Sequence, residues 1–283
     1  MSMLAVGAVG FVVCLVVTLM RWRSSEEARD RPASRFAAKM DLGLPEGLVP
    51  GIGRRLDRRR RMVDVTTGVA FAGWVLVALV AGLGTGTAMD GPSLLAAYGL
   101  VMLAQGGGEL LMFVADARSG SADRTRAAHL TRPQVADFLT PFELWSGRGA
   151  AAVTVAVAAW LALRIGDAHA VVLLAGTIVL WLLAEVLVAG IARSRPTAGD
   201  VQSLAFDDAL RAESLRRVIG SLGLLPLASW FVAMWRGAPT PAIYLLMAVA
   251  LAVATVQLWA DGSGLAKRRF RTRLWADPAP VRR

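Results

Sequence analysis

Gln105-Gly106-Gly107-Gly108-Glu109 sets an amide and a carboxylate inside an apolar segment that runs from about residue 92 to 116. A second carboxylate, Glu185, recurs in a later apolar segment. Glu109 stands seven residues before Asp116, and Glu185 stands eight before Arg193. At 1.5 Å per helical residue both acids lie roughly 10 Å inside the polar boundary that ends their segment. On a helix, Gln105, Glu109, Met112 and Asp116 share one face, and Tyr98 joins the stripe two turns earlier. Thr177 and Trp181 precede Glu185 on its own face.

Holding an ionised carboxylate at mid-bilayer costs about 2.5–3.5 kcal/mol, so such groups face a bundle interior or water and are functional candidates by default. Desolvation favours the neutral acid, and two acids that meet would share protons as a coupled pair. No Lys or Arg lies within the apolar stretches around them, the nearest ones standing at the inner boundary. The expectation is therefore protonated carboxyls that exchange protons with water, rather than buried ion pairs. Glu109, Glu185, Gln105 and Tyr98 are the residues expected to bind a proton, a cation or a substrate. The plainer reading makes both acids packing groups, with bonds that contribute about 0.6–2 kcal/mol each. The glycine triplet fits either reading. It lets helices approach closely, or it weakens the helix and opens carbonyls beside the acid, as in discontinuous transporter helices.

The elements that carry these residues follow from composition. Of 283 residues, 55% are hydrophobic and 18% charged, and the apolar ones come in blocks of about 18 or more. Such blocks are long enough to cross ~30 Å of hydrocarbon as helix. Alternating ten-residue strands are absent, so the predicted fold is an all-α integral membrane protein with seven transmembrane helices. Residues 1–20 form the first helix, uncleaved because no basic residue precedes it. Three hairpins follow at residues 63–115, 149–192 and 218–260, each closed by a short outside turn. Between them lie Arg-rich cytoplasmic segments at 21–62, 116–148 and 193–217, and a basic tail at 261–283. The inside segments hold 29 of the 31 Lys and Arg, leaving only Arg164 and Arg236 outside. That bias orients the chain N-out and C-in across a plasma membrane.

The same bias accounts for the net charge of +10 without nucleic acid. Single Cys14 excludes an internal disulfide and a cysteine-based metal site within one chain. His129 and His169 fall on opposite sides of the membrane, and no phosphate-binding, dinucleotide or metalloprotease motif is present. No metal and no cofactor is expected.

The run Arg54-Arg55-Leu56-Asp57-Arg58-Arg59-Arg60-Arg61 abuts the second helix. Arg54, Arg55, Arg58, Arg59, Arg60 and Arg61 either anchor the topology or contact anionic lipid head groups, at about 1 kcal/mol per basic residue. Helical pieces are expected at 33–42, 135–144 and 201–215, the last with Asp200 as N-cap, and together they suggest a small cytoplasmic layer. The three hairpins point the same way and resemble a parallel repeat, since Glu109 and Glu185 each sit in a second hairpin helix that ends near an Ala-Arg-Ser.

Three functions fit. The first is transport or permease activity through the buried carboxylates. The second is a non-catalytic membrane subunit holding a membrane or cytoplasmic protein partner. The third is a membrane-embedded enzyme in which an acid protonates a lipid-soluble, isoprenoid-like substrate. The sequence leans away from an enzyme, since no catalytic motif surrounds either acid. Transport requires a polar path to an acid, an enzyme requires a closed apolar pocket with an acid at its wall, and a subunit requires paired acids and no cavity.

Overall fold

The computed structural model describes residues 33–38, 49–80, 91–119, 133–165, 168–194, 201–227 and 240–263, with Val12, Val16, Met40, Leu42 and Ser229. The first predicted span apart from Val12 and Val16, most of the three outside turns, His129, Asp200 and most of the basic tail lie outside the described residues.

Every described element is a helix, and no strand is among them. They are α1 (Val49–Val80), α2 (Gly91–Ser119), the single turn α3 (Val135–Phe138), α4 (Pro141–Ile165), α5 (Ala168–Arg193), α6 (Val201–Gly223) and α7 (Thr240–Ser263). Two stretches, Pro141–Arg164 and Val171–Arg193, are long and apolar enough to cross a membrane, and Pro241–Val256 is a shorter apolar helix.

Three predicted boundaries move, each for a local reason. The arginine run, expected to abut the second span, is continuous with it as helix. It is the first half of α1, whose 32 residues measure about 48 Å at 1.5 Å per residue. The helix expected over 135–144 breaks at Leu139 and Thr140. Pro141 follows, and a residue before proline is pushed towards extended backbone. Thr140 then caps α4: its Oγ1 accepts from the Glu143 amide (3.1 Å), and the Glu143 carboxylate accepts from the Thr140 amide (2.8 Å). This is a capping box with proline at the first helical position. Residues 201–215 do not form a separate surface helix either. They run without a break into α6, which turns only at Leu224.

α6 is the hub. Residues 204–212 are all buried, including Asp207, Asp208 and Arg211. It packs on α2, α3, α4, α5 and α7, and Phe206 meets Phe36 of the short helix at 33–38, ring centroids 6.5 Å apart. α1 packs on α2, and α5 lies between α2 and α4. One apolar core joins these elements except α7, with Met112, Phe113, Ile191, Leu215 and Ile219 buried in it, and a second, smaller cluster of Val157, Leu161, Ala242 and Leu246 joins α7 to α4.

α2 is an unbroken helix through the glycine triplet, so no carbonyls are opened there. The glycines serve close packing instead. A Cβ at Gly108 would lie 2.6 Å from Thr66 Oγ1 and 3.1 Å from the Val63 Cα of α1. One at Gly106 would lie 2.6 Å from Leu187 Cδ1 of α5. Gly107 has nothing within 4 Å.

Candidate functional site

Glu109 is buried on α2, and two other helices reach it. From α1, Arg59 Nε donates to Oε2 at 2.5 Å. From α6, Arg217 Nη1 donates to Oε1 at 3.0 Å. Glu213, one turn before Arg217, accepts from Arg59 Nη1 at 3.0 Å and from Arg217 Nη2 at 3.2 Å. Arg59, Glu109, Arg217 and Glu213 thus close a ring of alternating charge that is neutral as a unit. Ser214 Oγ accepts from Arg59 Nη2 at 2.8 Å and lies 3.0 Å from Glu109 Oε2 and 2.9 Å from the Leu210 carbonyl. Its one proton can serve either.

This overturns the expectation of an unpaired acid: Glu109 stands in a buried ion pair. Arginines that the linear pattern assigns to the cytoplasm stand level with Glu109, because α1 and α6 extend past the apolar boundary as continuous helices. Glu109 belongs to a charged layer at that boundary. In a low-dielectric site each ion must be matched and its remaining hydrogen-bonding capacity filled, or its desolvation goes uncompensated. Arg59, with three polar partners, meets that condition. Burial alone pulls its guanidinium towards the neutral form, but the charges of Glu109 and Glu213 more than offset this and hold its pKa above the ordinary arginine range.

Glu185 is also paired, in a separate place. Arg148 of α4 grips it bidentately, Nε to Oε1 at 2.7 Å and Nη2 to Oε2 at 2.6 Å. Trp181 Nε1 donates to Oε1 at 3.3 Å. Arg148 and Glu185 are partly exposed, and Trp145 lies beside the guanidinium, 5.9 Å from ring centroid to Cζ. No hydrogen bond or ion pair joins Glu185 to Glu109, so the two acids do not act as one dyad.

A cavity of about 250 Å³ opens onto Glu109 between α1, α2 and α6. Gln105, Arg217 and Ser221 supply its other polar walls, and Val63, Met102 and Val218 its apolar ones. Gln105 and Glu109 therefore line one space. Tyr98 lies in α2, with its side chain outside the described residues. A second cavity, about 220 Å³, is lined by Arg35, Phe36, Leu56, Arg59, Arg60, Glu213 and Arg217. Arg59 and Arg217 belong to the ring, and Arg217 lines both cavities.

The remaining arginines of the basic run divide. Arg59 is buried and cannot meet a lipid head group. Arg55 Nη2 donates to Asp207 of α6 at 2.6 Å, and Arg61 pairs with Asp57 on its own helix. Arg54, Arg58 and Arg60 are exposed. Below the ring, Arg211 Nη2 donates to Asp207 at 2.9 Å, and its guanidinium lies 5.9 Å from the Phe113 ring centroid. Arg216 Nε donates to Glu143 at 2.9 Å and ties α6 to the capping box of α4.

None of the ring partners of Glu109 is visible from the apolar pattern of its own segment. A signal did exist in the charges. Acidic Asp207, Asp208 and Glu213 of α6 complement the basic first half of α1, and Glu213/Arg217 and Asp207/Arg211 are pairs at the four-residue spacing of one helix face. Among the described residues, no group of three or more His, Cys, Asp or Glu stands together as metal ligands do. Comparison with family models, curated proteins and solved structures finds no significant match to this chain.

Proposed function

We propose that the chain is a polytopic membrane protein of transport type, and that the Arg59–Glu109–Arg217–Glu213 ring is the inner gate of a path for a proton or small cation. In this reading the seven spans run N-out and C-in across a plasma membrane, as the lopsided Lys and Arg distribution suggests. The observation that carries it is the position of Arg217. This side chain is about half exposed, 53%, and lines both cavities.

The chemistry is an exchange of partners. A proton or cation that enters the larger cavity meets Glu109 beside Gln105 and Ser221. On binding, it displaces the Arg217 guanidinium from Oε1. Arg217 keeps Glu213 as a partner, so its charge is never left alone while it swings away. Arg59 and Ser214 hold Oε2 and keep Glu109 in place.

The test is flux into proteoliposomes made with the full chain. A pH-sensitive dye inside reports protons under an imposed potential, and ion-selective dyes report sodium and potassium. Wild-type vesicles are expected to pass one of these ions, Glu109→Gln to lose that flux, and Arg217→Ala to leak several-fold faster. If neither wild-type nor Arg217→Ala vesicles pass any of the three above empty vesicles, the transport reading fails.

A second reading, a non-catalytic subunit that holds a membrane or cytoplasmic protein partner, draws on the pairing itself: both acids are engaged by guanidiniums. The same silent vesicles would favour it. The acid-catalysed enzyme draws nothing from this geometry, because it requires a closed apolar pocket with an acid at its wall, and the cavity beside Glu109 is also walled by Gln105, Arg217 and Ser221.

A further inference from the structure

Two helix pairs hold the same kind of ion pair. Arg59 of α1 meets Glu109 of α2, and Arg148 of α4 meets Glu185 of α5. Their surroundings differ. α6 covers the first pair, and its Arg217 and Glu213 complete a buried ring of alternating charge. No described ion pair extends the second, whose side chains are 28% and 31% exposed. Arg148 gives Nε and Nη2 to Glu185, and no described acceptor meets its Nη1. Both residues stand inside the two stretches long and apolar enough to cross a membrane. By helical spacing Trp145, Gly149 and Ala152 share the face of Arg148, and Leu182 and Val186 share that of Glu185. All five are exposed, and all are apolar or small.

We propose that this face binds a second copy of the chain, across a two-fold axis along the membrane normal that sets Arg148 of each copy against Glu185 of the other. An isologous interface must be complementary to itself. A bonded arginine and glutamate meet that condition, because they present one charge of each sign side by side at one depth. An axis along the normal keeps both copies in the same orientation and brings equal depths together. Two copies then close a second ring of alternating charge, the arrangement that α6 completes within the chain around Glu109. The driving force is the poor fit of this pair to lipid. Charged groups within a span face protein or water and find partners there, and an N–H such as Arg148 Nη1 gains nothing from hydrocarbon. Gly149, with nothing within 4 Å, and Ala152 leave room for a second helix to come close. The inference rests on the membrane reading of α4 and α5 and not on transport, since assembly is measured without flux.

The full chain is purified in a neutral detergent, and copies per particle are counted over a dilution series by light scattering. Native mass spectrometry counts chains and retained phospholipids in the same samples. Wild type is expected to be dimeric. Arg148→Met/Glu185→Leu removes both charges and strands neither, and it should weaken the dimer by about tenfold or more. Arg148→Glu and Glu185→Arg each gather four like charges at the axis. Each should be monomeric alone, and the two should dimerise when mixed, one copy bringing the acids and the other the bases. Should a single variant fail to fold, the neutral double variant still decides, together with Ala152→Leu, which keeps the pair but blocks close approach and should also weaken the dimer. A wild type that is monomeric at every dilution overturns the proposal. If that monomer retains a phospholipid that the neutral double variant loses, the face belongs to a lipid head group instead. A dimer that the neutral double variant leaves unchanged forms elsewhere on the chain and overturns the proposal as well.

Discussion

Arg59 and Glu109 are 50 residues apart in the chain, 2.5 Å apart in space, and each only 2% exposed at the side chain. The pair joins α1 to α2, and through Glu213 and Arg217 it joins both to α6. Removing one ion from such a set strands another in a dry site, which costs about 3–5 kcal/mol, whereas replacing both by apolar groups of similar volume is often neutral or better. Arg59→Ala should therefore destabilise the protein by about that amount, and Arg59→Met/Glu109→Leu should recover most of it. Arg59→Ala leaves both carboxylates short of a cation, so it should be worse than Arg217→Ala, whose side chain is half exposed. Chemical unfolding in detergent measures each. A double variant no more stable than Arg59→Ala would show that the ring is not a closed electrostatic unit.

The pair also shows where sequence reading stops. Both acids were conspicuous as carboxylates in apolar helices, and the helical face shared by Gln105 and Glu109 is the face that lines a cavity. What could not be read was the depth of the neighbours. Hydropathy assigns Arg59 and Arg217 to the water side of a boundary, but a helix does not stop where hydropathy changes. α1 and α6 each carry charge and apolar residues on one continuous rod. The long arginine side chain then brings its charge to an acid about a turn or two inside, much as such side chains snorkel outwards elsewhere. Arg148 does the same for Glu185 from the first turns of α4. The Thr140-Pro141-Phe142-Glu143 pattern, by contrast, is legible as a helix start, with a capping threonine, proline at the first helical position and glutamate three residues after the cap.

The guanidinium of Arg59 should be insensitive to alkali. Desolvation lowers its pKa, but Glu109 and Glu213 raise it by more, so its folded value exceeds the unfolded one. A group with a raised folded pKa contributes fully below its unfolded pKa and loses that contribution only as pH climbs through the folded value. Both lie above the working range. The stability gap between wild type and Arg59→Gln should then stay constant from about pH 7 to about pH 10. A gap that closes across that range would mean that the pair is not formed in solution.

Gly108 and Gly107 offer a contrast within one turn of α2. A side chain at Gly108 meets α1 backbone, with Val63 Cα at 3.1 Å and the Met62 carbonyl at 3.3 Å. Backbone does not give way as a flexible side chain would, so Gly108→Ala should cost about 1–3 kcal/mol through overpacking. Gly107 is open, and alanine there should be neutral or stabilise by up to about 1 kcal/mol, the usual difference between the two residues inside a helix. Equal responses would mean that α1 and α2 do not approach as closely as this.

The capping box of α4 ties that helix to the hub. Glu143 accepts from the Thr140 amide and hydroxyl at 2.8 and 2.9 Å, and its other oxygen accepts from Arg216 of α6 at 2.9 Å. Glu143 thus ends an otherwise unpaired helix start and also neutralises a partly buried guanidinium. Thr140→Ala removes only the cap and should cost about 0.5–2 kcal/mol. Glu143→Ala removes the cap and leaves Arg216 without its carboxylate, so its cost should be clearly larger. In Glu143→Gln the amide oxygen still accepts the backbone bond while the charge is gone, which separates the two roles. Its cost should fall between the other two and shrink in high salt, where partly exposed ion pairs are screened. If Glu143→Gln matches Thr140→Ala at every salt concentration, Glu143 acts on its own helix alone and the α4–α6 tie contributes nothing.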